Sequence, residues 1–113
     1  MLDIETKIVD PDIVVLEVKG RLTMGRESKQ LEWSTDTLVR ENRKKIVFDL
    51  SGVTGIDSTG VGIVVMSAGQ IKKSGGQLHV CALGHVEQVL RLTNLDRVVD
   101  LYPTLGAASS NFS

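Results

Sequence analysis

A single α/β domain built on a mixed sheet is the fold the sequence predicts, and three patterns predict it. Leu2, Ile4, Thr6 and Ile8 alternate with Asp3, Glu5 and Lys7, the period of a strand with one face toward water. Ile46-Val47-Phe48-Asp49-Leu50 is a nearly continuous apolar run, as expected of a strand covered on both faces. Helical and strand periods then take turns along the chain. The resulting order, β-β-α-β-α-β-α-β, predicts one amino-terminal hairpin followed by right-handed crossovers.

The elements follow in turn. The first strand reads as an edge strand, and Asp10-Pro11-Asp12 supplies the residues of a tight turn. Ile13 to Lys19 is apolar enough on both faces to lie further inside the sheet. Gly20 to Gly25 breaks the pattern, and a helix from about Glu27 to Asn42 buries Leu31, Thr35 and Leu38 at helical spacing. Trp33 falls on the outer side of that helix, either as an anchor for a partner or packed under a neighbouring loop. The charged run from Arg40 to Lys45 reads as a solvated helix end. A second helix runs from Ser58 to Ser74 and is ended by Gly75-Gly76. Gln77 to Cys81 is a strand, Val86 to Thr93 a short helix ended at Asn94, and Arg97 to Leu101 a last strand. The domain therefore spans residues 1–105, and the small, polar stretch 106–113 is expected to be a flexible tail, or at best a weak helical remnant.

Composition excludes several functions. A formal net charge of −1 over 113 residues provides no basic face for nucleic acid. Cys81 is the single cysteine, which rules out an internal disulfide and a cysteine-rich zinc cluster, and it reads as a buried, inert thiol. The amino terminus lacks the basic start and apolar run of a signal peptide, and the apolar stretch Val61 to Met66 is far too short to cross a bilayer. A cytoplasmic protein with no membrane insertion is expected.

The chemistry concentrates where the third strand turns into the second helix, Ile56-Asp57-Ser58-Thr59-Gly60. Sites in open α/β sheets gather at such carboxyl ends, beside the free N–H groups of a helix start. Asp57 suits the helix cap, and the glycines at 52, 55, 60 and 62 allow tight turning and close approach. Three catalytic or ligand patterns fail at definite positions. A phosphate-cradling loop needs Lys-Ser/Thr where Val61-Gly62 stands. A dinucleotide fingerprint needs a third small residue where Val65 stands. A nucleophile elbow needs glycine two residues before Ser58, where Ile56 stands. His79 and His85 are the available bases, and both read as structural. No catalytic residue, metal site or cofactor is expected. Ser58 then remains either as an assistant to the cap or as an exposed hydroxyl that another enzyme phosphorylates, with Thr59 as second choice. A projection at 3.6 residues per turn sets Val61, Val64, Ala68 and Ile71 toward the core. The same projection places Gly62 and Met66 on the side of Ser58, with Ile63 beside them. Ile63 and Met66 are thus expected to be exposed as a partner-binding patch, or else packed under a loop.

The segment Asp49-Leu50-Ser51-Gly52-Val53-Thr54-Gly55-Ile56-Asp57-Ser58-Thr59-Gly60-Val61-Gly62 resembles the signature of STAS-domain anti-sigma factor antagonists. Gly20-Arg21-Leu22, Lys73-Ser74-Gly75-Gly76-Gln77-Leu78 and Leu92-Thr93-Asn94-Leu95 fit the same pattern, so the resemblance covers roughly Met1 to Tyr102. It implies a STAS fold and a partner-switching cycle. The unmodified protein would bind an anti-sigma factor that is itself a serine kinase, and so release the sigma factor. Phosphorylation at Ser58 would end binding, and a serine phosphatase would reset the switch. Three departures stand out: Thr23 occupies a position that is often acidic in the family, Asn94 replaces a common glycine, and Thr104 to Ser113 gives little support for the usual final helix. A constitutive STAS adaptor, in a signalling assembly or beside a membrane transporter, is the alternative. A small hydrolase with Ser58 as nucleophile is a third class, opposed by the broken elbow.

Overall fold

A computed structural model describes residues 2–9 and 12–112. Five strands form one sheet in the order β1-β2-β3-β4-β5, with β1 (Leu2–Val9), β2 (Ile13–Leu22), β3 (Lys45–Ile56), β4 (Gln77–Cys81) and β5 (Asp100–Tyr102). β1 runs antiparallel to β2 at the sheet edge, from Leu2 opposite Gly20 to Val9 opposite Ile13. The other pairs are parallel. The hairpin and the mixed sheet are those expected, while the turn residues Asp10 and Pro11 lie outside the described residues.

The crossovers are α1 (Lys29–Arg40), α2 (Ser58–Lys73) and α3 (Gly84–Leu92), with single 3-10 turns at Arg26–Ser28 and Leu95–Arg97. Each crossover helix is closed by a residue in the left-handed backbone region: Asn42 (φ 63°), Gly75 (φ 91°) and Asn94 (φ 60°). The amides that follow turn back onto the last helical carbonyls, as with Gly76 N–H to the Ile71 carbonyl at 2.9 Å and Arg43 N–H to the Leu38 carbonyl at 3.0 Å. The sequence marks all three stops because only glycine and asparagine enter that region at low cost.

The two faces of the sheet are unequal. Alternate residues of the central strands, among them Leu16, Ile46, Phe48, Leu50 and Val80, form the main core with the buried stripes of α1, α2 and α3. At about 1.5–3 kcal/mol for each fully buried side chain of this size, this layer is the main source of cohesion. The reverse face is smaller, with Ile13, Val15, Val47 and Cys81 packed under Ala108. Its cover corrects one expectation. The stretch 106–113, expected to be a flexible tail, contributes instead to a helix, α4 (Leu105–Ser110), whose amino terminus is capped by Thr104 accepting a hydrogen bond from Ala107 N–H at 3.1 Å. Remote contacts hold it: Nδ1 of buried His79 lies 2.9 Å from the Ala108 carbonyl, and the imidazole stacks on Phe112 with ring centroids 3.8 Å apart. Strand boundaries also move. β2 extends past Lys19 to Leu22, and β5 begins at Asp100 because the preceding residues, Leu95–Arg97, form a 3-10 turn.

Cys81 lies under this cover, and burial first, then the Asp49 carboxylate beside it, pushes its thiol up to about 11. The neutral thiol therefore persists throughout the physiological range. Alkylation by iodoacetamide at about pH 8 should be slow in the folded protein and fast in denaturant, with truncation after Pro103 giving an intermediate rate. A thiol assay over time checks this.

Candidate functional site at the β3–α2 junction

β4 stops at Cys81, opposite Asp49, whereas β3 continues along β2 until Ile56 faces Leu22. Two register shifts accompany this extension, one between Glu17 and Lys19 and one between Gly20 and Arg21. In each, β3 gains a residue relative to β2. Such bulges bend a strand and increase its twist. The segment Ser51-Gly52-Val53-Thr54-Gly55 lacks a strand's apolar rhythm and is held by pairing to β2, with the Thr54 hydroxyl also reaching the Gly20 carbonyl at 3.3 Å. The extension carries the start of α2 beyond the end of β4.

At its tip, Asp57 is extended (φ −120°, ψ −172°) and caps the helix, one carboxylate oxygen accepting from Gly60 N–H at 3.0 Å. The other oxygen accepts from Met24 N–H at 2.9 Å, which ties the loop after β2 to the start of α2. The Met24 N–H first, and the Gly60 N–H next, hold the Asp57 carboxyl below the ordinary carboxylate range. Gly60 is buried against the end of β2, and a Cβ there would stand 2.1 Å from the Leu22 carbonyl oxygen and 2.9 Å from Ile56 Cγ1. Ser58 and Thr59, between these two anchors, are both exposed. The cap belongs to Asp57, so the Ser58 hydroxyl is spared that role.

Further along α2 the expected patch is only partly present. Met66 is 64% exposed, and Gly62 is half-buried with nothing within 4 Å of the point a Cβ would occupy, but Ile63 is 4% exposed and belongs to the main core. The buried stripe of α2 runs through Gly60, Ile63, Val64, Ser67, Ala68 and Ile71. It is wider than the sheet alone requires because α1 packs on the same helix. The Thr35 and Ser67 hydroxyls meet at 3.4 Å in this interface, and Gln70 donates to Asp36 at 3.0 Å. Trp33, 63% exposed, does not pack under a loop. With Met66 it borders an open groove of about 530 Å³ between α1 and α2.

The two histidines are accounted for elsewhere. His79 pairs with Val47 and lies under α4, and along β2 the interval from Val15, opposite Val47, to Leu22, opposite Ile56, is roughly 23 Å at about 3.3 Å per residue. Its ring cannot reach Ser58. His85 is exposed in the first turn of α3. Among the described residues, no group of three or more His, Cys, Asp or Glu side chains could hold a metal ion, and no helix is long and apolar enough to cross a membrane.

With this geometry in view, the family can be assigned: residues 4–108 match the STAS domain model, and the chain belongs to the STAS domain family. It is 37% identical over 103 residues to a Thermotoga maritima protein described as a candidate anti-sigma factor antagonist, with 90% of each chain covered. A crystal structure of such a protein from that organism superposes with a TM-score of 0.83 at 36% identity, covering 94% of this chain and 91% of that one. The crystal structure of an anti-sigma factor antagonist from Mycobacterium paratuberculosis gives a TM-score of 0.86 at 27% identity, covering 97% and 92%. The fold is also that of the anti-sigma factor antagonist SpoIIAA, at a TM-score of 0.73 and 14% identity over 95% of this chain and 94% of that one.

Sequence reasoning missed Met24. Its backbone N–H, and not its side chain, makes the contact with Asp57, so no residue-type signal announces it. The acid missing at Thr23 does not weaken this link for the same reason.

Two measurements probe the junction. Gly60→Ala should lower stability by about 1–3 kcal/mol through overpacking against Leu22, while Gly62→Ala, with open space around it, should leave Tm unchanged or raise it. Thermal melts of both variants check the contrast. Because the Asp57 carboxyl is depressed in the folded state, its stabilising contribution is complete above about pH 4 and is lost as pH falls through the folded value. Between about pH 5 and pH 2, Asp57→Asn should therefore lose less stability than the parent in acid unfolding curves.

Proposed function

We propose that the chain is a cytoplasmic anti-sigma factor antagonist governed by phosphorylation of Ser58. Unmodified, it binds an anti-sigma factor that is itself a serine kinase and so releases a sigma factor. Phosphorylated, it lets go, and a serine phosphatase restores it. The chain is then ligand and substrate of other proteins and carries no catalytic group of its own. Kinship with candidate and named anti-sigma factor antagonists across nearly the whole chain supports the class of function.

One structural observation carries the choice of Ser58. It is an exposed hydroxyl on the first residue of a helix whose cap is made by its neighbour Asp57. A phosphate there adds about −1.5 to −2 charges at neutral pH without removing the cap. The helix N-terminus favours that charge and the Asp57 carboxylate opposes it. Thr59 shares the exposure and is the second choice. Of the residues first grouped as a docking patch, Gly62 and Met66 keep an accessible position on α2, whereas Ile63 acts only from beneath.

Incubation with the cognate kinase and Mg-ATP, followed by mass spectrometry, should locate phosphate on Ser58; phosphate elsewhere would overturn the assignment. Ser58→Asp should weaken binding to the kinase by about tenfold or more while shifting stability by less than about 0.5 kcal/mol. Equal binding by Ser58→Ala and Ser58→Asp, measured by calorimetry, would instead favour the constitutive adaptor.

A further inference from the structure

We propose that the open edge of β1 binds a second copy of this chain. The two β1 strands pair antiparallel about a two-fold axis at Thr6 and join two five-stranded sheets into one. The contact is independent of how Ser58 is used.

β1 ends the sheet, so one side of it is bonded to β2 and the other presents unpaired N–H and C=O groups. Edge strands are usually blunted by shortness, a bulge or a proline. β1 has none of these: it runs from Leu2 to Val9 without proline or glycine, and it pairs with β2 in an unbroken register. Its side chains divide by face. Asp3, Glu5 and Lys7 are exposed on the reverse face of the sheet, the face of Ile13 and Val15. On the helical face Ile4 packs against the main core, while Thr6 and Ile8 stand clear of it, Ile8 at 55% exposure.

The charges on this edge specify what covers it. Glu5 lies directly opposite Glu17, and like charges so placed repel. Lys7 at 2.9 Å and Lys19 at 3.6 Å both serve Glu17, and among the described residues no cation pairs with Glu5. The unfilled side of Glu5 is the open edge. In a two-fold pair both copies send the same alternate residues to that edge, so the axis passes through a residue meeting its own counterpart. With the axis at Thr6, Glu5 of each copy faces Lys7 of the other, and Ile4 of each faces Ile8 of the other on the opposite face of the sheet. Moving the axis by one residue sets Glu5 against Glu5 or Lys7 against Lys7. Lys7 can keep Glu17 while it takes the second copy's Glu5, since an ammonium has three donors. One added strand pair falls short of the roughly 1,200 Å² of a stable interface, which makes this a concentration-dependent dimer.

Sedimentation equilibrium on the chain should show a monomer–dimer equilibrium with a Kd of about 0.1 mM. Lys7→Glu and Glu5→Lys each set like charges across the two-fold and should each weaken self-association about tenfold or more. An equimolar mixture of those two variants restores both ion pairs and should dimerise about as tightly as the parent. Ile8→Lys leaves the Lys7–Glu17 pair in place and should also weaken the dimer, which keeps the test decisive if a charge variant folds poorly. A parent that stays monomeric at about 1 mM overturns the proposal. So does a mixture of two folded charge variants that remains monomeric, or a parental dimer that none of the three substitutions weakens, since either result places the contact on another surface.

Discussion

The close approach of Gly60 to the Leu22 carbonyl is the constraint on which the rest of the junction depends. The space is too small for a Cβ, so the first turn of α2 lies directly against the end of β2. That contact fixes where the helix starts and, with it, which side chains on its first turns can face water. It also brings the loop after β2 within reach of Asp57, whose carboxylate then joins the two segments through Met24 N–H and Gly60 N–H. The depressed carboxyl reports the same arrangement in electrostatic terms, because backbone donors, Met24 N–H first and Gly60 N–H next, stabilise its charged form.

Much of the fold was legible because its signals are local. The stops at Asn42, Gly75 and Asn94 are chemical requirements of left-handed backbone, and the cap at Asp57 needs only a short acceptor side chain ahead of a helix. The features that escaped are set by remote partners. Ile63 looks exposed when α2 is phased on Val61 and Val64, and becomes buried because α1 covers a second flank of the helix through Thr35 and Asp36. The extension of β3 is invisible in Ser51 to Gly55 because β2 supplies the order. α4 has only six residues to announce it, all but Leu105 small or polar, and its place is decided by the His79 ring and the apolar patch of Val15, Val47 and Cys81 that it covers. The site followed the same division: the cap at Asp57 could be read from residue type, whereas the Met24 contact is made by a backbone group that every residue but proline possesses.

The commitment of both Asp57 oxygens bears on how a phosphate at Ser58 would act. A free carboxylate could rotate away from a new negative charge at little cost. This one cannot, since turning would surrender the N–H of Gly60 or of Met24 and leave a helix start or a fixed loop without its partner. The added charge would therefore find a second negative charge held in place beside it, in a helix start that favours one anion and already has one. Relief would come from water and from counterions on the open side of the junction, the side that an incoming protein must dry. On this reading the fold tolerates the modification because Ser58 carries none of its weight, and the partner does not, because docking would bury two like charges that neither element can move apart.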